Sequence, residues 1–368
     1  MIGFNQFHYI GKCLMTNYSK VVIFYFTGTG NALMVGHWLR QTAQDRGFEV
    51  SLHNISKVDL AELDLSDPLA LLVVISPVHG FNYPPVVLHF LRHFPKGSNN
   101  VLLMNTRAGM LIGRWVTPGL TGIAFYHAAL RLKLKGYHLS GMIPVDMPSN
   151  WISVHPGLNK PTVMEIHRQM EVKTIKRFQK ILDGNKCFVA LRELIQDLLI
   201  APVSLGYYFI GRFLFAKTYV ASSNCDNCGI CISGCPVKAI IMVDERPFWT
   251  FRCESCMKCM SNCPQKAIET AHGSTIVIAL IFSLLVLSAF WELTGSLLGE
   301  IDNGLVRLTI ESALFLPLLA LWYRVIHYLM RFRWIERIVV YTSLTKYGFW
   351  GRRYRAFDKQ YKQAGMEH

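Results

Sequence analysis

The sequence predicts an α/β protein in three parts: a doubly wound parallel sheet, a small α+β domain built around cysteines, and a transmembrane helical hairpin. Over the first half of the chain, apolar β-branched runs alternate with helix-like stretches, the pattern of a parallel sheet covered on both faces. Two cysteine quartets of identical spacing lie between Cys225 and Cys263. Beyond them, Gly273 to Trp291 carries no charge over nineteen residues, enough to cross a bilayer as a helix.

The totals point the same way. A chain of 368 residues suggests two or three domains. An apolar content of 51% and a mean hydropathy of +0.27 are high for a soluble protein, so a membrane-embedded part is expected. The net charge of +14 implies a nucleic-acid or anionic-membrane surface, and its location has to decide between them. Eight of the ten cysteines sit in the quartets. Cys13 and Cys187, with no partner at motif spacing, are expected to be inert. Nothing here makes a disulfide framework, which implies a reducing, cytoplasmic compartment.

Residues 1–19 form an expected N-terminal arm, without the apolar core or cleavage site of a secretory signal. Val21 to Phe26 reads as a strand buried on both faces. Thr27-Gly28-Thr29-Gly30-Asn31 follows, and Ala32 to Gln41 reads as a helix. Glycines free backbone N–H groups to face an anion and the helix dipole favours its charge, so this loop is a candidate phosphate cradle. It is not a P-loop, and Leu33 takes the third glycine position of a dinucleotide fingerprint. A second strand, Leu69 to Ile75, ends in a loop containing Pro77, Val78, His79, Gly80, Phe81, Asn82 and Tyr83, before helix-like Val86 to His93. A third, Val101 to Met104, ends in the loop Asn105-Thr106-Arg107-Ala108-Gly109. A long helical stretch near Trp115 to Lys135 precedes a strand from Gly136 to Ile143, closing in Met147-Pro148-Ser149-Asn150-Trp151. In a doubly wound sheet the ligand lies at the carboxyl ends of the strands, where all three loops fall.

These loops look like the three FMN-contacting loops of the flavodoxin family. The continuation through Met147–Asn150 resembles proteins that fuse a flavodoxin-like domain to a two-cluster ferredoxin; the resemblance covers about residues 20–270. It implies that residues 20–185 are an FMN domain. Thr27, Gly28, Thr29, Gly30 and Asn31 would hold the phosphate, with Pro77, His79, Gly80, Phe81 and Tyr83 bordering the isoalloxazine and Asn105, Thr106 and Gly109 on its far side. One departure is Ala32, where flavodoxins usually carry Ser or Thr; it removes a phosphate hydrogen bond worth on the order of 1 kcal/mol. His79 is the catalytic candidate, although a histidine there is more often a packing or hydrogen-bonding group than a proton donor.

Both quartets read C-x2-C-x2-C-x3-C-P, as Cys225, Cys228, Cys231, Cys235 and Cys253, Cys256, Cys259, Cys263. Three thiolates at that spacing can wrap one corner of an iron–sulfur cube while the fourth, before proline, turns away. Structural zinc sites would normally show two C-x2-C pairs across a longer gap. The pattern resembles bacterial-type 2[4Fe-4S] ferredoxins, whose fourth cysteine serves the other cluster. Carried over, Cys225, Cys228, Cys231 and Cys263 hold one [4Fe-4S] cluster, and Cys253, Cys256, Cys259 and Cys235 the other. This domain is expected at 221–272, with short strands at Ala239–Val243 and Pro247–Phe251. Lys160 to Leu182 is a charged amphipathic helix, and residues 186–220 form the linker. Within it Leu198 to Gly211 has fourteen uncharged residues, too few to span a bilayer, and reads as interfacial or partner-packing.

Residues 273–328 are expected as two transmembrane helices joined by a turn with Glu300 and Asp302. The second contains Glu311 and Pro317 and must run through Arg324 toward Tyr328 to be long enough. From Arg324 onward ten Lys/Arg face three Asp/Glu, a surplus of seven and half the charge of the chain. Residues 329–368 are therefore expected as a basic cytoplasmic tail, both ends of the hairpin staying inside. Arg331-Phe-Arg333-Trp334 and Trp350-Gly-Arg352-Arg353-Tyr354-Arg355 intersperse cations with aromatics, which reads as a belt facing anionic lipid rather than a nucleic-acid surface. The whole implies a membrane-anchored electron-transfer flavoprotein with FMN and two [4Fe-4S] clusters. The expected partners are membrane lipid, a redox protein or quinone and other membrane subunits, with no nucleic acid. The alternatives are a reductase of a quinone or lipid, and an electron-transfer subunit of a larger membrane complex.

Overall fold

The computed structural model describes residues 18–298 and 303–357. Cys13 with most of the expected arm, the acidic pair Glu300 and Asp302, and residues 358–368 lie outside that description. In chain order the first domain contains β1 (Lys20–Tyr25), α1 (Asn31–Gln44), β2 (Glu49–Asn54), β3 (Leu71–Pro77), α2 (Pro85–His93), β4 (Asn100–Ile112), β5 (Trp115–Thr117), α3 (Ala124–Leu134), β6 (His138–Pro148) and α4 (Lys160–Leu182). Its parallel strands stand in the order β2-β1-β3-β4-β6, with β5 antiparallel on the far end of β4. Numbered among themselves they run 2-1-3-4-5, the flavodoxin-like doubly wound order. Apolar residues of β1, β3 and β4 alternate between the two faces. Val21, Ile23, Val73 and Met104 meet α1 and α4 on one side, while Phe24, Val74 and Leu103 meet α2 and α3 on the other.

Three departures from the sequence reading matter for the site. β2 is an extra parallel edge strand; EVSLHN is half-polar because only part of it is covered. The segment Asn105–Gly109 is not a loop but the middle of β4, since β6 runs beside it in register as far as Gly109 opposite Pro148. The stretch near Trp115 opens as β5, and α3 is confined to Ala124–Leu134 because Pro118, Gly119 and Gly122 interrupt it.

Val189–Ala216 is one continuous 28-residue helical stretch: a 3-10 turn, α5 (Leu194–Gly206), a π-turn (Tyr207–Gly211) and α6 (Arg212–Ala216). It is thus long and apolar enough to cross a membrane, contrary to the count of fourteen uncharged residues, because Asp197 and Arg212 fall inside the helix rather than ending it. One face is committed to the α/β domain. The Asp197 carboxylate accepts from the Gly122 N–H at 2.8 Å and the Tyr126 hydroxyl at 3.2 Å, and Ser204 donates to the Phe81 carbonyl at 2.9 Å. The opposite face exposes Ile195, Leu198, Leu199, Val203 and Phe209.

The cysteine domain pairs β7 (Tyr219–Ala221) with a later strand, then carries α7 (Ile230–Ser233), the antiparallel pair β8 (Ile240–Val243) and β9 (Arg246–Trp249), α8 (Lys258–Asn262) and β10 (Ile268–Thr270), the partner of β7. Its core is Tyr219, Ile240, Trp249, Met257, Met260 and Ile268, joined by Ile152 from the α/β domain. Then α9 (His272–Ile281), a π-turn and α10 (Ser288–Leu298) form one helix, and α11 (Gly304–Leu329) returns. His272–Gly295 and Gly304–Leu329 are both long and apolar enough to cross a bilayer. Glu311 is not a lone acid: it pairs with Arg307 at 3.0 Å and accepts from the Trp291 indole at 3.2 Å across the hairpin.

The tail divides. α12 (Arg333–Tyr341) exposes Trp334 and Ile338. The second basic–aromatic run, expected to face lipid, is instead a strap packed over both domains, with Tyr354 buried and Arg352 exposed. Arg353, its side chain 7% exposed, donates to the carbonyls of Met260, Lys266 and Ile268 and pairs with Glu269. Trp350 donates to the Ile152 carbonyl at 2.7 Å. Those carbonyls and Glu269 attract the strap's cations inward, a demand no local sequence pattern announces.

Candidate functional site

A cavity of about 680 Å3, including its open mouth, lies at the carboxyl ends of the parallel strands. Of the sequence candidates, Thr27, Gly28, Thr29, Asn31, Pro77, His79, Gly80 and Thr106 line it. Gly30 sits at the start of α1 with φ +105°, a left-handed conformation that a side chain would strain. Phe81, Tyr83, Asn105 and Gly109 do not line the cavity. Tyr83 is buried in the core, its hydroxyl donating to the Met104 carbonyl at 2.9 Å. Asn105 is buried beside Thr121, and Gly109 packs on the Asp146 backbone.

The first loop is tightly organised. Thr27 Oγ1 accepts from the Gly30 N–H at 3.1 Å, and Thr29 accepts from the Asn150 amide. The Asn31 side chain is already engaged: its amide donates to the Pro148 carbonyl at 3.0 Å, and its carbonyl oxygen accepts from the strap's Tyr354 hydroxyl at 2.7 Å. That hydroxyl in turn accepts from His167 Nε2 at 2.7 Å. What Asn31 and Ala32 have left for an anion is their backbone N–H groups at the start of α1.

The other walls include residues the sequence reading did not assign to the flavin: Arg107 and Ala108 of β4, Trp151, Tyr207 of the π-turn, and Ser255 and Cys256 of the second quartet. Arg107, with a side chain only 2% exposed, pairs with Asp146 at 2.7 Å and with Glu193 at the root of the long helix. Tyr207 rests its ring on Gly80, where a Cβ would come within 2.0 Å of it. Gly28 meets the Cys256 carbonyl so closely that a Cβ would stand 2.1 Å from it. Arg107 and Ala108 belong to the third of the loops read from the sequence, whereas only folding brings Tyr207, Ser255 and Cys256 beside them. Three wall residues present buried polar atoms without a protein partner, His79 Nδ1, Trp151 Nε1 and Ser255 Oγ. Such atoms call for the polar groups of a ligand, and a flavin fits that demand. Burial pushes the His79 imidazole down to about 4, so it stands neutral and serves as a hydrogen-bonding group.

The eight quartet cysteines fall into two groups that cross between the runs. Burial, then Cys225, Cys263 and Cys228, push the Cys231 thiol up to about 11. Burial, then Cys259, Cys256 and Cys235, hold Cys253 well above its ordinary value. The fourth cysteine of each run therefore stands with the other run's first three. Each also accepts a backbone N–H four residues on, Ala239 to Cys235 at 3.2 Å and Ala267 to Cys263 at 3.3 Å. Thiols this buried ionise only against metal. Between the two features lies Glu254, whose carboxylate accepts from the Val86 N–H at 2.9 Å and is raised to about 8 by burial.

Residues 224–268 match the family described as the 4Fe-4S dicluster domain, placing iron–sulfur clusters in the quartet domain. No curated protein matches the chain in sequence. Among solved structures, it is similar to a Streptococcus pneumonia flavodoxin at 12% identity and TM-score 0.30, over 43% of this chain and 97% of that one. It is also similar to general stress protein 14 of Treponema denticola in complex with FMN, at 15% identity and TM-score 0.31, over 45% and 98%. Flavodoxin 2 of Bacillus cereus is similar at 15% identity and TM-score 0.30, over 43% and 98%. The chain is thus a flavodoxin-like α/β unit, by its own strand order, fused to a 4Fe-4S dicluster unit and to apolar helices.

Proposed function

We propose that this chain is a membrane-anchored electron-transfer flavoprotein, exchanging electrons between FMN in the cavity and two [4Fe-4S] clusters held by the quartets. One observation carries the reading: Ser255 and Cys256 of the second quartet line the same cavity as the loop from Thr27 to Ala32. FMN supplies chemistry in which an electron pair is divided into single electrons, the unit a cluster carries. The N–H groups of Asn31 and Ala32 and the Thr29 hydroxyl hold the phosphate, Arg107 fixes the β4 wall, and Trp151 and Tyr207 exclude water. His79 stays neutral and positions rather than protonates.

The helices His272–Gly295 and Gly304–Leu329 anchor the protein as a two-pass hairpin, with the cofactor domains and the basic C-terminal residues in the cytoplasm. The helix Val189–Ala216 lies on the membrane surface, because its polar face is already spent on the α/β domain. Lipid and a redox protein are its partners. A reductase acting on a quinone is the second reading, favoured by the seat of the hairpin: the Tyr323 hydroxyl donates to the Tyr219 carbonyl at 2.9 Å and accepts from the Trp249 N–H at 3.2 Å, within the quartet domain. Anaerobic purification from membranes should yield one extractable FMN and about eight irons per chain. Protein without flavin would falsify the reading, and rapid quinone reduction by the reduced protein would favour the second.

A further inference from the structure

The two quartets differ in what surrounds them. The first-quartet segment is open: Ser223, Asn224, Asp226, Asn227 and Cys228 are exposed, and Ile230 is 45% exposed beside them. The second is walled in. Glu254 and Ser255 are 8% and 5% exposed, and the Cys256 carbonyl abuts Gly28 of the phosphate loop. On its other side Cys253 lies near Tyr323 and Lys217, at the root of the hairpin. The groups adjoin at Cys231 and Cys259, near enough for Cys231 to act electrostatically on the Cys259 thiol.

Resting on the function proposed above, we infer a fixed order: the cluster of Cys253, Cys256, Cys259 and Cys235 faces the flavin, and that of Cys225, Cys228, Cys231 and Cys263 faces a soluble one-electron carrier protein. The α/β domain and the hairpin root occupy the approaches to the inner cluster beside Cys256 and Cys253. With the clusters and FMN bound, a reduced carrier docked over Cys228 and Ile230 would give up one electron by way of the outer and then the inner cysteine group. Two carriers oxidised in succession, with two protons from solvent, would balance the two-electron reduction of one FMN, and the reverse path would use the same sites. Electron tunnelling falls steeply with distance, so the order follows from which cysteine touches which neighbour.

The test uses the detergent-solubilised holoprotein. Mild oxidant is added stepwise, and released thiols are alkylated with iodoacetamide and located by mass spectrometry. Cys225, Cys228, Cys231 and Cys263 should be modified first, with the flavin still bound; modification of the Cys253 group first overturns the order. A second measurement is Ile230→Glu, with reduced bacterial ferredoxin as the probe in stopped flow. Iron and flavin contents should match the unmodified protein, while electron entry slows roughly tenfold, the scale on which interface variants alter association. An unchanged entry rate also overturns the proposal. Unmodified protein lacking flavin or iron defeats the underlying function instead, and is seen before either measurement begins.

Discussion

The two cysteine runs share one spacing and live in different environments, one open to solvent and one walled in by other parts of the fold. Around Cys228 the chain lies in solvent, and the exposed Asp226 carboxylate accepts from Gln265 at 2.9 Å and from the Cys228 N–H at 3.2 Å. Around Cys256 other parts of the fold close in: Gly28 from the phosphate loop, Val86 from α2 on the neighbouring Glu254, Tyr207 from the long helix. On the order inferred above, a cluster in the first setting would exchange electrons with outside molecules and one in the second with the flavin site, so that identical ligands would acquire different roles through packing.

Exchanging the fourth cysteines tests the crossing most severely. Cys263→Ser should remove the outer cluster, and Cys235→Ser the inner one, each with loss of about half the iron. Electron paramagnetic resonance of the reduced variants distinguishes the two, and loss of the inner signal in Cys263→Ser would show that the runs do not interleave. Next in size is Arg107→Ala, which leaves Asp146 and Glu193 without their buried cation and unpins the long helix from β4. Breaking one side of such a network costs about 3–5 kcal/mol. Denaturant unfolding should record that loss, whereas an unshifted midpoint would mean the pair is dispensable.

Gly28→Val probes the contact that makes the second quartet inward-facing. Overpacking against the Cys256 carbonyl costs about 1–3 kcal/mol, so flavin affinity should fall by roughly 5–150-fold. Titration with FMN measures it; unchanged affinity would detach the phosphate loop from the quartet. The smallest effect is a pH dependence. Burial pushes the His167 imidazole down to about 4, and its Nδ1 has no partner, so the folded protein refuses a proton that the unfolded chain accepts. Folded pKa lies below unfolded, so stability present above about pH 6.5 is lost as pH falls toward 4, at no more than about 1.4 kcal/mol per pH unit. His167→Gln should flatten the melting temperature across that window, and an unaltered slope would assign the acid sensitivity elsewhere.

What was legible in the chain was whatever is written in local periodicity and spacing. The apolar runs of β1 and β3 declare buried parallel strands, the cysteine spacing declares cluster ligands, and the uncharged run from Gly273 declares a helix fit for a bilayer. The phosphate loop is legible too, because glycines between a strand and a helix serve one geometry. The rest needed the fold. Asn105–Gly109 looks like a loop until β6 supplies its hydrogen-bond partners. Asp197 looks like the end of a helix until Gly122 and Tyr126 bury it. Arg353 and Tyr354 look like a lipid-facing belt until the carbonyls around β10 and the Asn31 amide claim them. In each case a polar group changes meaning when a partner far along the chain satisfies it, since burial is costly for an unpaired group and nearly free for a paired one. Sequence periodicity records which residues must be hidden from water; only tertiary structure decides which polar groups find partners, and so which of two equal quartets lines the cavity.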